Sequence, residues 1–152
     1  MMTSIKSLLV VCVGNVCRSP IFEKVLIDKL GETNIRVFSA GLSPMVNAPM
    51  HEYSKKYLLS LGVKDVEHSS KMLVKKDVVK SDLILVMEST HKQDILSVFP
   101  YARGKVFLIS HLLDGDDTQD PLKLTYDDYH DVADRIVSCA DAWYKKLFAT
   151  KN

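Results

Sequence analysis

The chain has 152 residues, 47% of them hydrophobic and 26% charged, with a formal net charge of +1. That length fits one domain over residues 1–152, and the balanced charge excludes a disordered tail or a polyanion binder, so nucleic acid is not an expected partner. Three cysteines are too few, and odd in number, for a disulfide framework, which points to a reducing, cytoplasmic setting with free thiols.

Residues 6–13, KSLLVVCV, read as a strand buried on both faces. The same run could open a secretion signal, but it is short and β-branched, and Gly14-Asn15-Val16 makes a poor cleavage site. Residues 20–30 follow as a helix started by Ser19 and Pro20 and stopped by Gly31, then 35–39 as a second strand. Residues 50–61 place Tyr53, Tyr57, Leu58 and Leu61 on one helical face ending at Gly62. A short helix is expected over 71–80, a buried strand over 82–88, a helix over 90–99 closed by Pro100, and a strand over 105–109. An Asp-rich loop leads to a long helix over 126–148, where Thr125 and Asp128 resemble a capping box. No segment reaches membrane-spanning length, so no membrane insertion is expected.

This alternation predicts an α/β fold: a parallel sheet with helices on both faces. The loops after residues 13, 39, 88 and 109 then share the rim where such sheets bind ligands.

The first of those loops carries the chemistry. Cys12 ends a strand and Ser19-Pro20 begins a helix, so Val13, Gly14, Asn15, Val16, Cys17 and Arg18 form a turn whose amides can converge on an anion. Gly14 permits unusual backbone angles, and Asn15 is among the few other residues that tolerate a left-handed one. Arg18 adds a planar fork that can hold two oxygens of a tetrahedral oxyanion. Such surroundings favour the thiolate of Cys12, a nucleophile able to attack phosphorus while the same donors stabilise the transition state. Ser19 either donates a hydrogen bond to that sulfur or simply caps the helix. A leaving phenolate also needs an acid, and Asp114, Asp116, Asp117 and Asp120 all follow the fourth strand. Chemistry alone does not choose among them. A calcium loop fails, because Gln119 and Thr125 stand where its glycine and bidentate glutamate belong. The five histidines lack paired ligand spacing for zinc.

The string VCVGNVCRSP, with SAG at residues 39–41, DLILVME at 82–88 and the Asp120-Pro121 pair, resembles the low-molecular-weight protein tyrosine phosphatases across most of the chain. The resemblance implies a four-stranded parallel sheet with the signature loop after its first strand, a phosphocysteine intermediate, and neither metal nor cofactor. It singles out Asp120 as the acid, restrained by Pro121. It also implies that His68 buttresses the loop through Asn15 and Ser39, and that Cys17 could form a protective disulfide with Cys12. A small buried core residue is the plainer account of Cys17, as packing is for Cys139. Where many relatives place aromatic residues around the substrate ring, this chain has Leu42, Met45 and Leu122, which predicts an aliphatic pocket wall, with Tyr126 or Tyr129 as a possible aromatic edge. The SAGL variant is similar to the bacterial branch acting on tyrosine autokinases of exopolysaccharide export, which makes a phosphotyrosine protein the expected partner of a monomer or weak dimer. A thiol-dependent arsenate reductase would need resolving cysteines near the third strand, and none is there. A non-catalytic phosphopeptide binder would have no use for both Cys12 and an Asp-Pro acid.

Overall fold

The computed structural model describes residues 5–148. Four strands, β1 (Ser7–Cys12), β2 (Arg36–Gly41), β3 (Leu83–Val86) and β4 (Val106–Leu108), form one parallel sheet in the order β2-β1-β3-β4. Five α-helices accompany them: α1 (Arg18–Leu30), α2 (Glu52–Ser60), α3 (Lys75–Lys80), α4 (Ser89–Val98) and α5 (Tyr126–Leu147). The α/β reading of the sequence therefore holds, down to the number of strands.

Period-two alternation divides β1 between two cores. Leu8, Val10 and Cys12 face α1, α2 and α5, while Leu9 and Val11 join Phe38, Ala40, Val78 and Ile95 on the other side. All of these residues are at most 9% exposed, which is why β1 reads as an unbroken apolar run. On α5 the buried positions Val132, Ala133, Ile136, Cys139, Ala140 and Trp143 repeat at three and four residues. Trp143 also donates from Nε1 to the Ile109 carbonyl at 2.8 Å. Thr125 caps α5 by accepting from the Asp128 amide at 3.2 Å, as its sequence position predicts.

Most element boundaries shift by one or two residues from expectation, and two of the differences bear on the site. Residues 71–74 are extended rather than helical, because Gly41 donates to the Lys71 carbonyl and Leu73 to that of Gly41, both at 2.9 Å. Pairing with the edge strand uses the backbone groups a helix would need, and α3 keeps only Lys75–Lys80. Helix α1 begins at Arg18, two residues early, with Cys17 as an N-cap that makes no side-chain capping bond. The first amides of α1 are thus left without a side-chain acceptor at the loop.

Because β1 lies between β2 and β3, the chain leaves it first to one side and later to the other. A crevice opens at the carboxyl end of β1, where the connections diverge, and Cys12 occupies that end.

Candidate active site

The loop after β1 is held from outside by its carbonyls. Those of Cys12, Val13 and Val16 accept from the amides of Leu42, Ser43 and His51 at 2.9–3.0 Å. Cys17 O accepts from Ser54 Oγ at 3.0 Å, and Asn15 O lies 2.6 Å from His68 Nε2, which therefore carries the ring proton. With the carbonyls turned outward, the N–H edge of the loop is left for the concave side.

Asn15 is the pin of this arrangement. It has φ 58°, the left-handed region that asparagine tolerates better than most residues, and is fully buried. Its Oδ1 accepts from the Lys71 amide at 2.9 Å, and its Nδ2 donates to Ser19 Oγ at 2.8 Å and to Ser39 Oγ at 2.9 Å. Its own amide points at Cys12 Sγ at 3.3 Å. Ser19 Oγ accepts from Asn15 and lies 3.0 Å from Cys12 Sγ; toward a thiolate, which can only accept, the hydroxyl is the donor. Ser19 is inside α1 and does not cap it. Ser39 Oγ donates to Glu23 Oε1 at 2.5 Å, and the same carboxylate oxygen stands 4.0 Å from His68 Nδ1. Asn15, Ser39 and His68 thus meet in one network.

Glycine matters at a different place than expected. Gly14 does not have a positive φ, and a Cβ there would meet only Val16 Cγ2 at 3.7 Å. At Gly41 a Cβ would lie 2.6 Å from the Val13 carbonyl oxygen, a backbone atom fixed by Ser43. The close approach of β2 to the loop excludes every side chain at position 41.

Arg18 is 2% exposed, and a buried guanidinium needs partners. Its Nη1 donates to Glu88 Oε2 at 2.5 Å and to the Thr118 carbonyl at 2.8 Å. Both Nη1 hydrogens are thereby used, which leaves the Nε–Nη2 edge as the two-pronged face for an oxyanion. Glu88 is itself fixed as the N-cap of α4, where His91 closes a capping box with Glu88 N donating to Nδ1 at 3.2 Å. Burial, and then the charge of Arg18, hold His91 below the usual histidine range.

A cavity of about 40 Å³ is lined by Cys12, Gly14, Val16, Cys17, Arg18, Asp120 and Leu122. Asp120 Oδ2 is 4.0 Å from Arg18 Nη2, and its Oδ1 accepts from the Leu122 amide at 3.0 Å, which fixes the Asp-Pro turn. The other acids are engaged elsewhere. Asp114 grips Arg135 with two bonds of 2.7 and 2.8 Å, and that guanidinium holds its carboxyl well below the usual range. Asp117 accepts from the first amide of α4 at 2.8 Å, and Asp116 lines a separate depression with Arg135.

The expected pocket wall is only partly present. Leu122, 51% exposed, lines the cavity. Leu42 turns to the opposite side, packing on the β1 face of Leu9 and Val11 and lining a groove with Val13, Leu73 and Val98. Met45 is 83% exposed and does not line the cavity, nor does Val13. Tyr129 is fully buried and bonded to Ser54 at 2.6 Å, which removes it as an aromatic edge, while Tyr126 packs against Tyr53.

Glu23, Glu88 and Thr118 escaped the sequence reading. Glu88 had a usable signal, a carboxylate at the rim end of a buried strand beside a buried arginine. Thr118 acts through its carbonyl, which no side-chain pattern reveals.

Burial pushes the Cys17 thiol from 9.0 up to about 11, and does the same for Cys139. Between those values the folded chain keeps protons that the unfolded chain has lost, so stability falls as pH rises. The melting temperature should stay level up to about pH 8.5 and then drop through pH 11, with a shallower drop in Cys139→Ala. An unchanged slope in that variant would show that Cys139 does not contribute.

The family model "Low molecular weight phosphotyrosine protein phosphatase" matches residues 7–152. AmsI of Erwinia amylovora, named a probable low molecular weight protein-tyrosine-phosphatase, is 36% identical over 143 residues, covering 94% of this chain and 98% of that protein. The structure of Vibrio vulnificus Wzb in complex with benzylphosphonate superposes with a TM-score of 0.88 at 34% identity, covering 95% and 100% of the two chains. YwlE arginine phosphatase from Geobacillus stearothermophilus gives 0.86 at 29% identity over 93% and 92%. With its signature loop, sheet order and nearly full-length matches all in agreement, the chain belongs to the low molecular weight phosphotyrosine protein phosphatase family.

Proposed function

We propose that this chain hydrolyses phosphotyrosine in proteins through a phosphocysteine intermediate. The supporting observation is the meeting of Cys12 Sγ, the free edge of Arg18 and the Asp120 carboxyl on one small cavity within a single chain. The loop amides and Arg18 bind the phosphate oxygens. The Cys12 thiolate, stabilised by Ser19 and the Asn15 amide, attacks phosphorus. As the S–P bond forms, the P–O bond to the ring breaks, and Asp120 gives its proton to the departing phenolate. Water then attacks the phosphocysteine while the Asp120 carboxylate takes its proton. The S–P bond breaks, inorganic phosphate leaves, and Ser19 receives the thiolate.

Cys17 has a different place in this scheme. Burial raises its thiol pKa to about 11, which disfavours the thiolate a nucleophile needs. The physiological substrate in this reading is a bacterial tyrosine autokinase linked to exopolysaccharide production, met in the cytoplasm by a monomer or weak dimer. Phosphate release from peptides carrying phosphotyrosine, phosphoserine or phosphoarginine tests the substrate class. Phosphotyrosine turnover should dominate; turnover of phosphoarginine alone would overturn the reading.

A further inference from the structure

The near-neutral net charge conceals a dipolar surface. Residues 114–134 carry eight aspartates against Lys123, whereas residues 71–80 carry Lys71, Lys75, Lys76 and Lys80 against Asp77 alone. Arg36 of β2 joins the basic side. Its guanidinium carbon lies 3.7 Å from the centre of the Phe38 ring, with the ammonium groups of Lys71 and Lys80 at 5.6 and 5.8 Å from the same centre. One aromatic ring thus gathers three cations. Lys71 is neutralised by Asp77 at 2.7 Å. Among the described residues, Arg36, Lys76 and Lys80 pair with no acid, and all three are exposed. Desolvation, followed by the charges of Arg36 and Lys76, lowers the Lys80 ammonium from its ordinary value, and Asp77 opposes that shift only in part.

Lys71 links this surface to the candidate active site, while Arg36, which pairs with Ser7 where Gly41 pairs with Cys12, lies five residues down β2 from the rim. The Lys71 amide donates to Asn15 Oδ1, and its carbonyl accepts from Gly41, which packs against the loop at Val13. The Asp-rich loop bounds the other side of the cavity through Asp120. A polypeptide whose phosphorylated residue enters the cavity therefore has one flank repelling acidic residues and one attracting them.

We propose that the surface formed by Arg36, Lys76 and Lys80 around Phe38 docks an acidic stretch of the phosphorylated substrate, an inference that rests on the phosphatase reading above. The test compares p-nitrophenyl phosphate, too small to reach it, with a phosphotyrosine peptide flanked by glutamates. Lys76→Glu/Lys80→Glu should lower kcat/KM for the acidic peptide about tenfold, mainly through KM, and leave p-nitrophenyl phosphate within about twofold. The neutral pair Lys76→Gln/Lys80→Gln, with less risk to folding, should fall between, and added salt should erase the difference. Equal losses on both substrates, or no loss on the peptide, would overturn the docking surface while the phosphatase reading survives. Absence of turnover of either substrate by the wild type would overturn both. If the charge reversal instead abolishes binding to phosphatidylserine vesicles and spares the peptide, the surface belongs to a membrane and the proposal fails.

Discussion

Cys12→Ser should lose at least about four orders of magnitude in turnover of p-nitrophenyl phosphate while still binding phosphate or vanadate. A serine hydroxyl at this position is neutral at pH 7, and no adjacent base is placed to ionise it. Asn15 and Ser39 bond to each other, and Ser19, the hydroxyl beside position 12, is itself neutral and no base. The oxyanion site does not depend on the sulfur. Arg18 is fixed by Glu88 and Thr118, and the loop carbonyls by Leu42, Ser43, Ser54 and His51. Calorimetry should therefore find vanadate affinity largely retained, apart from any covalent contribution of the sulfur. Turnover within tenfold of wild type would mean that another group attacks phosphorus.

Asp120→Asn should cost about 10²- to 10⁴-fold in kcat, with the size of the loss set by the leaving group. The amide is close in shape to the acid and can still accept from Leu122, so the Asp-Pro turn stays formed. What it cannot do is transfer a proton. Phenyl phosphate, whose phenolate leaves badly, should suffer most, and p-nitrophenyl phosphate least. A series of substituted aryl phosphates should accordingly show a steeper dependence of rate on leaving-group basicity in the variant. Asp117→Asn serves as the control, because its carboxylate is engaged with the Ser89 amide and not with the cavity. An equal loss across the whole series would relocate the acid.

Much of this architecture was legible in one dimension. A strand buried on both faces must be apolar throughout, a helix must repeat its apolar positions at three and four residues, and both signals lie in adjacent residues of β1 and α5. The signature loop was legible for the same reason: Cys12, Asn15, Arg18 and Ser19 act within one turn of chain. The misreading of residues 71–74 shows the limit. Their local sequence permits a helix, and only the free edge of β2, some thirty residues earlier, makes extension preferable.

The sequence by itself determined the fold class and the reactive turn, because local patterning and a contiguous motif encode both. Residue chemistry left four aspartates open and only the resemblance singled out Asp120; the tertiary structure alone decided which carboxylate anchors Arg18 and that Leu42 lies on the wrong side to form the wall. Those outcomes depend on strand register and on contacts spanning 70 residues, for Arg18 and Glu88, and 102, for Arg18 and Asp120. Burying a guanidinium and an asparagine requires every polar atom to find a partner, and the parallel sheet brings those partners together from loops far apart in the chain.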